Sequence, residues 1–376
     1  IVPDTKEEVA LPDGVAHFLE HKMFEQPDES NSLDTMMALG LDANAYTTND
    51  HTAYLFECSE DDNFYKGLDE LMDFVQSPHY TDENVEKEKG IIGQEIMMYD
   101  DDPGFQVYLD TLKCLYSKNP IRIDIAGSID SISGINKDML YKCYNTFYNP
   151  ANMVLCVCGN FEPDKILEEI KKRLKPSKNI GYIERIYEDE PDEINQKYME
   201  KVMSISMPLF TIGIKDKLVN PSEKIKRHMA IEIILNMIIG KSSRLYKELY
   251  DKQVLTAEPD LEYEFSRKYA HILVGGQSNN PQLVDQMFKE EIKKLKNEGL
   301  NSEDFKRIKR KIYGDFVTEF NDVENISRMF LADTIKDVNS FDYVEKYDEV
   351  TIDFAAQILN EVFDENKMVL SVIKGS

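Results

Sequence analysis

The chain has 376 residues and a net charge of −26, with 44 Lys and Arg against 70 Asp and Glu. That balance argues against a nucleic-acid partner, because phosphate contacts need clustered Lys and Arg. With 42% hydrophobic residues the chain is long enough to build two cores, and no run of about 18 uncharged apolar residues reads as a membrane span. The opening segment IVPDTKEEVALPDG is polar and acidic and does not read as a signal peptide. Cys58, Cys114, Cys143, Cys156 and Cys158 form an odd, scattered set, a poor disulfide framework that fits a reducing cytoplasm.

Gly14 to about Gln26 carries Val15, Leu19 and Met23 at helical spacing. Residues 32–40 read as a short helix. LDANAYTTNDHTAYLFECS then reads as two strands joined at Asn49-Asp50, and residues 61–76 as a helix with Phe64, Leu68, Leu71, Met72 and Val75 on one stripe. Thr81, followed by Asp82 and Glu83, opens a helix that runs to about Tyr99. Helices follow at 104–117 and 137–147, then a buried strand, MVLCVCG, at 153–159, with Cys156 and Cys158 as apolar fillers on one face. A helix at 162–174 closes the first half.

Residues 177–196 are acidic and irregular and mark the boundary. The expected organisation is a first domain over 1–178, a linker over 179–196 and a second domain over 197–376. The second domain reads as strands over about 197–216, helices at 222–239 and 242–251, a strand pair over 259–277, helices at 281–297, 302–333 and 350–363, and a strand at 367–375. KMVLSVIKG near the end mirrors NMVLCVCGN at 152–160, a weak internal repeat that suggests duplication of one α+β unit. The fold class is α+β: two homologous domains, each a mainly antiparallel sheet covered by helices.

The chemistry lies in GVAHFLEHKMFE. His17 and His21 are four apart, so on a helix they share a face one turn apart, the spacing two imidazoles need to hold one zinc. Glu20 lies on the same face, where a carboxylate can take the proton of a metal-bound water. The order H-x-x-E-H is the inverse of the commoner zinc-peptidase motif. Three protein ligands plus water are expected at a catalytic zinc. The helix at 81–99 offers Glu86, Glu88 and Glu95, and spacing alone does not choose among them. Glu88 and Glu95 are seven apart, two turns along one face.

HFLEH, then DANAYT, then EKEKGIIGQEI together resemble the pitrilysin, insulinase and mitochondrial-processing-peptidase family, in its bacterial single-half branch. The likeness is strongest over residues 14–160. The resemblance implies half of a peptidase clamshell that hydrolyses peptides or unfolded polypeptides. It implies His17, His21 and Glu95 as zinc ligands and Glu20 as general base. Glu88 becomes a supporting carboxylate, grouped with Glu20 on the catalytic side. Ala43, Asn44, Ala45 and Tyr46, with Thr47, match an edge strand that pairs with the substrate backbone. The family domain begins with two strands before H-x-x-E-H, so about 50 further residues are expected upstream.

Active members of that family also use an Arg and a Tyr in a pattern like S-R-L-x-x-x-L-R-x6-Y. Here Ser243-Arg244-Leu245 fits its start, but Tyr250 stands at the Arg position and Ala257 at the Tyr position. The expected consequence is a homologous partner subunit that supplies the missing pair, in a heterodimer or otherwise a homodimer. Two rival readings are a non-catalytic scaffold subunit and a zinc-binding interaction module. His51, in the hairpin, reads as a packed or surface histidine rather than a fourth ligand.

Overall fold

The computed structural model describes residues 1–178 and 180–375. It divides into two compact units, Ile1–Met98 with Ile123–Tyr187, and Tyr99–Arg122 with Glu188–Ser376. The fold is α+β, as the sequence predicts.

The first unit contains α1 (Val15–Met23), α2 (Ser32–Ala38), β1 (Asp42–Thr47), β2 (Thr52–Glu57), α3 (Asp61–Phe74) and most of α4 (Asp82–Asp100). The chain then leaves for α5 (Pro103–Leu115), which belongs to the second unit, and returns for α6 (Ile129–Ser133), α7 (Lys137–Phe147) and α8 (Pro163–Arg173). The strands β1 and β2 form an antiparallel hairpin with Ala45 opposite Tyr54. One apolar core gathers Phe18, Leu19 and Met23 of α1, Phe74 of α3, Ile92 and Ile96 of α4 and Leu140 of α7.

Gly14 sets the start of α1. Its φ is +90°, in the left-handed region, and a Cβ there would lie 2.4 Å from the Ala126 carbonyl oxygen. Gly127 answers it, with φ +77° and a Cβ position 2.5 Å from the Asp13 carbonyl oxygen. Only glycines allow these two backbones to pass so closely.

The second unit contains β3 (Tyr198–Met203), β4 (Leu209–Lys215), α9 (Pro221–Ile238), α10 (Arg244–Asp251), β5 (Asp260–Phe265) and β6 (Ala270–Gln277). It continues through α11 (Pro281–Glu298), α12 (Ser302–Glu319), α13 (Val323–Ile335), α14 (Asp342–Glu345), α15 (Ile352–Val362) and β7 (Met368–Gly375). Its sheet runs β3-β7-β4-β6-β5, antiparallel except for the β3–β7 pair. Alternation along β4 sends Phe210, Ile212 and Ile214 into the main helical core. On the opposite face α5 lies against the sheet, where a Cβ on Gly213 would come within 2.7 Å of the Thr111 side chain. Leu112 and Leu115 of α5 share a smaller core with Leu273 and Val369.

The structure departs from the sequence reading in three places. Residues 99–122, read within the first domain, group with the second unit, because the apolar face of α5 is spent on that unit's sheet. The single helix expected over 302–333 is two: the run stops at Phe320, and the Asp322 side chain caps a new helix by accepting from the Asn325 amide. The buried strand expected at 153–159 is an unpaired stretch, with Val154 and Leu155 each more than two-fifths exposed. Its repeat mate β7 is buried because β3 and β4 flank it on both sides. Among the described residues no strand flanks 153–158, and a strand without a neighbour leaves its backbone to water.

Gly14→Ala is expected to cost roughly 1–3 kcal/mol, from both the positive φ and the Ala126 contact. Urea unfolding followed by far-UV circular dichroism should show an earlier midpoint, and an unchanged midpoint would remove Gly14 from this role.

Candidate metal centre

The helix α1 has two faces. Val15, Phe18, Leu19, Lys22 and Met23 recur at i, i+3, i+4, i+7 and i+8, and all are buried. The remaining face carries His17, Glu20 and His21. Opposite stands α4, whose buried stripe is Val85, Glu88, Ile92 and Ile96, with Glu95 one position before Ile96.

Among the described residues one group of three could hold a metal ion: His17, His21 and Glu95, with ligand atoms all within 4.8 Å of one another. Glu95 reaches both imidazoles, Oε1 at 3.6 Å from His17 Nε2 and Oε2 at 3.5 Å from His21 Nε2. Tetrahedral bonds of about 2.0–2.2 Å place neighbouring ligand atoms about 3.4 Å apart, so these separations fit an ion seated between them. The two rings lie edge to face with centroids 4.6 Å apart. The donor set is two imidazoles and one carboxylate, the chemistry a catalytic zinc takes.

Glu88 is not part of that group. Its Oε1 lies 3.0 Å from His21 Nδ1 and its Oε2 accepts from the Lys22 ammonium at 3.2 Å. A carboxylate on Nδ1 fixes the tautomer that leaves the Nε2 lone pair free for a metal. Burial raises the Glu88 carboxyl pKa, but the His21 hydrogen bond and the Lys22 charge outweigh it and hold the carboxyl below its usual range. Burial lowers the His21 pKa, and its carboxylate neighbours more than reverse this. His17 moves the other way: burial, then the neighbouring His21, lower its pKa and favour the neutral ring.

Glu20 is nearly buried and accepts a 2.6 Å hydrogen bond from Thr47 Oγ1. The Thr52 hydroxyl is 3.0 Å from that of Thr47 and completes the chain by donating to it. Burial raises the Glu20 carboxyl pKa, partly offset by the Thr47 bond. Thr47 ends β1, so the strand holding Ala43, Asn44, Ala45 and Tyr46 runs directly to Glu20. Among the described residues β1 pairs only with β2, leaving its outer edge open. The Asn44 side chain accepts from the Ala45 amide at 2.8 Å.

His51 stays outside the metal group. Its Nδ1 is 2.7 Å from Asp50 and its ring meets Tyr46 edge-on. Tyr250 is half exposed on α10, and Ala257 is exposed. Arg244 pairs with Glu291 at 2.5 Å. Two residues at the site escaped the sequence reading as individuals. Thr47 was read only as part of a strand, and its bond to Glu20 joins positions 27 apart. Lys22 left a signal, an ammonium on the buried stripe of an amphipathic helix, which requires a buried carboxylate partner.

The family model for insulinase (peptidase family M16) matches residues 6–127, and the model for the peptidase M16 inactive domain matches 134–312. A Bacillus subtilis protein named as an uncharacterized zinc protease, YmfH, is 34% identical over 378 residues, covering 98% of this chain and 86% of that one. The chain belongs to peptidase family M16. A second B. subtilis protein, YmxG, also named as an uncharacterized zinc protease, is 24% identical over 81% of this chain and 74% of its own. Among solved structures, an M16-like peptidase from Alicyclobacillus acidocaldarius superposes with a TM-score of 0.94 at 34% identity, over 99% of this chain and 89% of that one. A chain of Complex III2 from Candida albicans, solved with Inz-5 bound, matches at TM-score 0.77 and 12% identity over 98% of this chain and 87% of that one, a likeness of fold alone. Among the described residues no helix is long and apolar enough to cross a membrane.

Isothermal titration with a divalent metal should give one tight site, and His17→Ala or Glu95→Ala should abolish it. Tight binding that survives both substitutions would place the metal elsewhere.

Proposed function

We propose that this chain is a zinc-dependent endopeptidase that hydrolyses peptides or unfolded polypeptides. The observation that carries the reading is the meeting of three metal donors with a nearly buried carboxylate tied to an open strand edge. His17, His21 and Glu95 would hold the ion. Bound there, zinc would supply a Lewis acid for the scissile carbonyl and bring the pKa of water to about 7.

The chain's own residues supply the rest. The β1 edge, from Ala43 to Tyr46, offers backbone groups to an extended substrate, which would add as a further strand. The Ala45 amide is held by Asn44 until a substrate carbonyl replaces that side chain. Thr47 donates to Glu20 Oε2, leaving Oε1 as the oxygen that takes a proton from water. The same carboxyl then returns the proton to the leaving amine, and its burial-raised pKa suits both transfers. Glu88 acts through His21, which it orients.

A homologous partner subunit completes the reading, because Tyr250 and Ala257 stand where the family pattern this sequence resembles has Arg and Tyr. The partner would lack H-x-x-E-H and contribute that pair to the substrate. The acidic surface of this chain favours basic peptides. The absence of disulfide bonds among the described residues fits a cytoplasmic setting.

Glu20→Gln should retain one equivalent of zinc while kcat on an unfolded-protein substrate falls about 10²- to 10⁴-fold, with KM little changed. A Gln variant with wild-type kcat would rule out Glu20 as the base. Co-expression with a homologue that carries the Arg and Tyr but lacks the zinc motif should give one co-eluting complex on size exclusion and a large gain in cleavage. Full activity from the purified chain alone would contradict the shared site.

A further inference from the structure

Lys22 is the anomaly of the first unit. It sits at i+7 of the buried stripe of α1, between Leu19 and Met23, and its side chain is wholly inaccessible to solvent. A lysine in such a place is rarely retained for packing, since Leu or Met fills the volume without a charge to desolvate. Its ammonium contacts two carboxylates, Glu25 Oε1 at 2.5 Å and Glu88 Oε2 at 3.2 Å. Glu25 is partly exposed and has water as an alternative partner, whereas Glu88 is buried. The burial of Lys22 therefore serves Glu88.

Glu88 uses its two oxygens on two consecutive residues of α1, Oε1 on His21 Nδ1 and Oε2 on Lys22 Nζ. A carboxylate held at one oxygen alone can rotate about its last torsion, which is broad. Held at both, its plane is fixed, and so is the direction from which it meets the imidazole.

We propose that Lys22 is a positioning residue of the metal centre. It anchors Glu88, Glu88 orients His21 and keeps its Nε2 turned to the ion, and Lys22 thereby sets metal affinity without touching the metal. This rests on reading His17, His21 and Glu95 as a metal site, but not on the reaction carried out there.

The test is a double-mutant cycle on zinc affinity, measured at one pH by competition with a chromophoric chelator. Lys22→Met keeps the apolar stem and removes the ammonium. It should weaken zinc binding about 10- to 100-fold, the range for loss of a partner that orients a ligand. Glu88→Gln should weaken it similarly. The Lys22→Met/Glu88→Gln variant should bind within about twofold of Glu88→Gln alone, because Lys22 acts only through that carboxylate. Lys22→Arg should recover part of the loss. Losses that add in the double variant mean a merely structural lysine and overturn the proposal, as does wild-type affinity in Lys22→Met. If Lys22→Met alone fails to fold, Lys22→Gln, which can still donate to Glu88 but carries no charge, takes its place in the same cycle with the same expected and overturning outcomes. A wild-type chain that takes up no zinc overturns the metal reading and this proposal together. Zinc binding with no cleavage by the wild-type chain, either alone or with a homologue that carries the Arg and Tyr, overturns the peptidase reading only, and the cycle still decides on Lys22.

Discussion

The Glu88 carboxylate, shared between His21 and Lys22, ties α4 to α1 at the level where the proposed metal ligands meet. The apolar stripes of both helices enter the same core, which brings the helices together but does not choose their rotation about their own axes. A buried carboxylate with two polar partners does choose, because a mismatched rotation would strand a charge in the core. Once that level is set, Glu95, two turns further along α4, falls opposite the Nε2 atoms of both histidines. The glycine pair Gly14 and Gly127 fixes the other end by letting the entry to α1 press against the Ala126 backbone.

The hairpin β1–β2 joins this frame through a single hydroxyl. Thr47 ends the strand and holds Glu20, so the open edge and the carboxylate are parts of one device. The arrangement suits the base role proposed for this buried glutamate. Burial raises its pKa, and the Thr47 hydrogen bond limits the rise and leaves one oxygen for proton transfer.

Local chemistry was the most legible part of the sequence. H-x-x-E-H on a helix and the DANAYT–TAYLFE hairpin depend on short-range spacing, and both stand in the structure where expected. Spacing alone could not choose among Glu86, Glu88 and Glu95. Resemblance selected Glu95, and in the structure its two oxygens lie 3.6 and 3.5 Å from the two histidine Nε2 atoms. Lys22 and Thr47 were harder to see because their partners lie 66 and 27 positions away. The segment 153–158 was misread for a related reason. Its apolar run is what a central strand looks like, but burial of a strand depends on its neighbours. The assignment of α5 was equally nonlocal, since its amphipathic face fits any apolar sheet and only the long-range contact around Gly213 shows which one it covers.

The central claim is that one ion sits between His17, His21 and Glu95, with Glu88 behind His21. A crystal structure of zinc-loaded protein, with anomalous data collected on both sides of the zinc edge, tests it most directly. The account predicts one anomalous peak about 2.0–2.2 Å from both Nε2 atoms and from a Glu95 oxygen, with Glu88 still bridging His21 and Lys22. A peak bonded to Glu88 in place of Glu95, or a zinc bound away from α1, would contradict it.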